Sequence, residues 1–125
     1  MRVMSIGIKS VEEGLNDFEK AFEAAQKRLP VKARVGTYFT DLEAARNFLT
    51  EKRLELLRMV RGKNPQSVYQ LAKLLGRSFP SVMRDIEILT KHGLLKLTKV
   101  KHSPRHAIHP SVGYDAINLW IGIAA

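Results

Sequence analysis

Apolar and polar positions along the chain fall into short, sharply bounded patterns. "VMSIGI" alternates weakly and predicts a strand over Val3 to Ile8. Ser10 with Glu13 fits a capping box, so a helix is expected from Val11. Val11, Leu15, Phe18, Phe22, Ala25 and Leu29 then recur in steps of 4, 3, 4, 3 and 4, the seam of a helix that packs on another helix. Glu12, Asp17, Glu19 and Glu23 line its other faces, and Pro30 ends it. Gly14 costs about 1 kcal/mol relative to alanine inside a helix, so the first turn frays readily. The seam fits packing on the chain's own core or on the same helix of a second subunit, and a homodimer through 11–29 is the favoured expectation.

"RVGTYF", residues 34–39, is short and rich in β-formers. Asp41 can cap a helix reaching about Leu49, and Thr50 the next, "EKRLELLRMVRG". The expected buried set of that helix is Leu54, Leu57 and Val60, with Leu56 close by and Gly62 as the stop. Another helix is expected over Pro65 to Leu75, capped by Ser67, with Val68, Leu71, Ala72 and Leu75 inward. Gly76 supplies a sharp turn. Ser78 caps a last helix with Pro80 in its first turn, where the missing N–H does no harm. Val82, Ile86 and Leu89 face inward, and His92-Gly93 ends the helix.

Small Ala72, Gly76 and β-branched Val82 carry the signal of a helix–turn–helix: close crossing, tight turn, locked second helix. On a wheel of about 100° per residue, Arg84, Lys91 and Pro80 lie opposite Val82, and Ser81 lies to one side. After Gly93, "LLKLTKVKHSPRHAIHP" gives two short runs around a turn near His102 to Pro104, a basic hairpin or wing. The tail "YDAINLWIGIAA" predicts a strand burying Ile117, Leu119, Ile121 and Ile123, with Trp120 on the other face. The expected fold class is α+β, mainly α: a winged helix–turn–helix with an N-terminal strand and a dimerisation helix. Its expected division is 1–49, the strand and dimerisation helix, and 50–125, the DNA-binding domain with the C-terminal strand.

Charge sharpens this outline. The 125 residues carry a formal net charge of +9. Residues 50–110 hold 13 lysines and arginines against 4 acids, while the remainder holds 8 of each. All the surplus therefore sits on this central segment, and a polyanion is the natural partner for that field. Hydrophobic content of 45% argues against disorder. No apolar run approaches the roughly 20 residues of a membrane helix, and "MRVMSIGIKS" does not make a secretory signal. With no cysteine, disulfides and thiolate metal sites are excluded, and a cytoplasmic protein, nucleoid-associated when bound to DNA, is expected.

Recognition helices read bases with their N-terminal residues, while phosphates favour helix starts and cations. Arg84 is therefore the candidate base reader, able to bond guanine O6 and N7 together. Lys73, Arg77, Ser78 and Ser81 are candidate phosphate contacts, and Ser67, Pro80 and Lys91 join the candidate DNA-contacting set. Lys99, Lys101, His102 and Arg105, with Lys96, would serve from the wing. Asp85 is assigned no DNA role; it can hold a neighbouring arginine. His102, His106 and His109 have a spacing zinc could use, but they share no helix face and no carboxylate or cysteine is near in sequence, so no metal or cofactor is expected. No Ser/His/Asp order, glycine-rich phosphate loop or paired acidic cluster suggests an enzyme.

Three stretches carry a family resemblance: "YFTDLEAARNFLTEKRLELLRMV", "SVYQLAKLLGRSFPSVMRDIEILTKHGLL" and the late "YDAI". In them the chain resembles small winged-helix transcriptional regulators of MarR-like type, known mostly from bacterial and archaeal genomes. That resemblance implies a winged-helix fold, homodimerisation and sequence-specific binding of double-stranded DNA, with Ser78 to Lys91 as the recognition helix. Such proteins are also similar to antitoxins that bind a toxin encoded nearby and repress their own operon. A winged helix used only for protein contacts is a further alternative. The insertion "KHSPRHAIHPSVG" departs from the family pattern at the wing.

Overall fold

The computed structural model describes residues 1–9, 11–27, 36–99 and 108–123. Among them are five strands and five helices: β1 (Val3–Ile8), α1 (Val11–Gln26), β2 (Gly36–Phe39), α2 (Leu42–Phe48), α3 (Glu51–Lys63), α4 (Val68–Leu75), α5 (Phe79–Lys91), β3 (Lys96–Lys99), β4 (Ile108–Ser111) and β5 (Ala116–Ile121). The fold is α+β. Helices α3, α4 and α5 lead into the antiparallel hairpin β3–β4, which is the winged helix–turn–helix topology. Expected positions at Ser10, Leu29, Pro30, Arg34 and Val35 lie outside the described residues.

Caps explain most of the helix limits. Asp41, Thr50, Ser67 and Ser78 each adopt extended backbone and accept a hydrogen bond from the amide three residues on. Helix α3 does not stop at Gly62. It continues to Lys63, and Asn64 takes the left-handed turn at φ 46°. Its buried face also differs from expectation: Leu56, Leu57 and Val60 are buried, whereas Leu54 is half-buried. Helix α3 packs on α4 and β4.

The second sheet is parallel, in the order β2-β1-β5. Met4 and Ile6 of β1 enter the same core cluster as Leu56, Leu71, Val82, Ile86 and Leu89. One core thus joins the sheet to the winged helix. The C-terminal strand, placed from sequence with the 50–125 region, bonds to β1 along its length. Asp115 fixes the approach to β5: its carboxylate accepts from the Arg2 amide and from Arg61, and these two bonds hold its pKa below the ordinary carboxylate value.

Two apolar faces depart from expectation. On β5 only Ile117 packs against the core; Leu119, Ile121 and Ile123 are 49%, 52% and 94% exposed, and the strand ends at Ile121. β5 is an edge strand of its sheet. Trp120, on the other face, lies over Gly7 and edge-on to Tyr38 at 6.0 Å, and a β-carbon on Gly7 would stand 2.6 Å from the indole. On α1, Leu15, Phe18 and Phe22 are 64%, 70% and 56% exposed, so the seam read from sequence is uncovered by the described residues.

Candidate nucleic-acid interface

The interface begins with the turn between α4 and α5. Gly76 closes α4 in the left-handed region at φ 65°, where a side chain is strained. The Arg77 amide donates to the Ala72 carbonyl at 3.1 Å, which folds the turn back onto α4. Ala72 is small enough for the helices to approach, and Val82, Ile86 and Leu89 are completely buried against α4 and the core. With that inner face fixed, helical spacing turns Pro80, Arg84, Glu87 and Lys91 outward, and all four are exposed.

One largely buried carboxylate holds the assembly together. Asp85 accepts from Arg53 Nε at 3.0 Å and from Arg77 Nη2 at 2.7 Å, and the three side chains are only 13–18% exposed. Arg53 also donates through Nη1 to the carbonyls of Asn47 and Phe48, at 2.6 and 2.8 Å. Asp85 therefore ties α5 to the start of α3, the end of α2 and the interhelical turn. Arg77 and Ser81, expected at phosphates, both belong to this network. Arg77 Nη2 donates to Ser81 Oγ at 2.7 Å, and Arg77 Nη1 is buried. Asp85, four residues beyond Ser81 and eight beyond Arg77, draws the Arg77 cation toward α5.

The remaining candidates divide by position. Ser67 and Ser78 act as helix caps, Ser67 half-buried and Ser78 exposed. Lys73, Arg84, Lys91, Lys96 and Lys99 are exposed and form no ion pair among the described residues. The β3–β4 hairpin pairs Lys96 with Ser111 and Lys99 with Ile108, and β4 packs against α3 and α4. Its fully buried Pro110 and half-buried Leu97 anchor it to the core. Lys101, His102 and Arg105 lie outside the described residues, as does His106. His109 Nε2 shares a hydrogen bond with Asn64 Oδ1 at 3.0 Å. Among the described residues no group of three His, Asp or Glu side chains is placed to hold a metal ion.

Two features escaped the sequence reading. Tyr69 of α4, 67% exposed, stacks on Phe79 at 4.3 Å and 16°, beside the start of α5. Its only sequence signal is an aromatic residue on a polar helix face. At the other end of α5, His92 packs against Phe48 at 4.5 Å and Phe39 at 5.6 Å, and Thr37 donates to the His92 carbonyl. Burial first, and Lys91 second, hold the His92 pKa below the ordinary imidazole value. No helix among the described residues is long and apolar enough to cross a membrane.

The fold and its basic face define a winged helix–turn–helix protein. Residues 48–119, more than half of the chain, match the HVO_A0114 family, and the chain belongs to that family. No curated protein matches it. Among solved structures it is similar to ScpB from Mycobacterium tuberculosis, at 19% identity and a TM-score of 0.44, covering 79% of this chain and 69% of that one.

Proposed function

We propose that the protein is a transcriptional regulator that binds double-stranded DNA by sequence, acting as a repressor or autoregulator and, like the MarR-like proteins it resembles, in the cytoplasm. Helix α5 enters the major groove and the β3–β4 wing lies on the flanking backbone. The observation that carries this is the division of α5: one face wholly buried, the other exposing Arg84 and Lys91 with no acid among the described residues bonded to either. Arg84 reads a base edge. Lys73, Lys91, Lys96 and Lys99 meet phosphates, and exposed Tyr69 joins them. No catalytic step and no cofactor belong to this role.

The test is selection of bound fragments from a random duplex library, with wild type beside Arg84→Ala. Wild type is expected to enrich a defined motif. Arg84→Ala should cost about 1–3 kcal/mol on that motif and relax preference at one position. Equal weakening on every sequence would make Arg84 a phosphate contact, and no enrichment by wild type would end the proposal.

A further inference from the structure

A cavity of about 450 Å³ opens between α3 and the chain that runs from β4 into β5. Its volume falls in the range of small-molecule sites. Leu54, Leu57, Leu94, Val112 and Ile117 give it an apolar wall, and Leu57 and Leu94 are buried. Helix α3 lays two rows of residues along one side. Leu54, Arg58 and Gly62 form one row at four-residue steps, and Leu57 and Arg61 form the other. None of the residues assigned above to DNA lines the cavity.

Charge selects the ligand. Arg61 is already engaged: Nη1 donates to the Val112 carbonyl at 3.1 Å, and Nη2 donates to Asp115. Asp115 is engaged as well, because its second oxygen accepts from the Arg2 amide at 2.9 Å. Arg58 remains. It lines the cavity, is exposed, and forms no ion pair among the described residues. The cavity therefore presents one uncommitted positive charge beside an apolar wall. Gly62, next in the Arg58 row, leaves room there. It lies within α3, has no positive φ, and a β-carbon on it would meet no atom within 4 Å. Glycine inside a helix is unfavourable relative to alanine, and here neither a turn nor close packing requires it.

We propose that this cavity binds a small organic carboxylate, with its acid group on the Arg58 guanidinium and its hydrocarbon body against Leu54, Leu57 and Ile117. Guanidinium and carboxylate pair through two parallel hydrogen bonds, and the body displaces water from the apolar wall. An ammonium ligand finds no free acid, since Asp115 is the one carboxylate among the described residues that line the cavity. This binding is independent of DNA, and its test contains none.

The probes are phenylpropionate and octanoate, each beside its primary amide, titrated to millimolar concentration into the full chain with labelled methyl groups. At least one acid is expected to shift the methyls of Leu54, Leu57, Leu94, Val112 and Ile117 saturably, with the interior methyls of Leu71 and Ile86 unmoved. Wild type should prefer that acid to its amide by about tenfold or more, and Arg58→Gln should lose the preference. Gly62→Leu sets a side chain in the row beside Arg58 and should weaken acid and amide alike. Both substituted positions are exposed, so both variants should melt cooperatively as wild type does. No saturable shift at these methyls, equal affinity for acid and amide, a preference kept by Arg58→Gln, or undiminished binding by Gly62→Leu would each overturn the proposal.

Discussion

Arg77 and Arg84 stand on one basic segment, yet their surroundings divide them. Arg77 is drawn to Asp85 at 2.7 Å, whereas Arg84 is exposed and forms no ion pair among the described residues. The outward direction of Arg84 was legible, because Val82, Ile86 and Leu89 fix the wheel. The fate of Arg77 was not: its carboxylate lies eight residues away and shares it with Arg53, so the bond depends on how α3, α4 and α5 meet. Asp85→Ala leaves two largely buried cations without their acid. It should lower unfolding free energy by about 3 kcal/mol, toward the low end for a broken buried pair, as read by urea denaturation. Arg77→Ala should likewise lower stability. Lys73→Ala should leave stability unchanged, and it should weaken DNA binding on all sequences and reduce the salt slope by about 1.

At the scale of elements, the helix–turn–helix was the most legible part. Its caps, its glycine turn and its 3–4 spacing are local signals, and α5 begins and ends where they place it. Gly76→Ala should cost about 1–2 kcal/mol, because the residue keeps a left-handed backbone that alanine resists. β5 was legible as a strand but not in its covering, since alternation marks an apolar face without saying what lies on it. The junction of α5 with β2 and α2 carries its own prediction. The His92 pKa in the folded chain lies below the ordinary 6.5, so the unfolded chain takes up a proton first as pH falls. Stability should decline as pH drops below about 6.5 and level off below the folded value; thermal melting across that window should show a weaker decline in His92→Phe.

For the molecule as a whole, the net charge of +9 is the long-range term and the single core is the short-range one. Arg53, Arg61 and Arg77 spend their charge on intramolecular ion pairs, so a polyanion meets the exposed cations of α3, α4, α5 and the wing. The parallel sheet that carries both chain-end strands was not legible, because β1 and β5 are more than 100 residues apart and only tertiary packing pairs them. DNA affinity should fall steeply and linearly in log–log form as salt rises, as counterion release requires. The most direct measurement is the NMR map of backbone amide shifts on adding a selected duplex. Binding through α5 predicts that the large changes fall on residues 73–91 and on β3 and β4, with α1 and β5 unmoved. Large changes on α1 or β5 with α5 silent would contradict it.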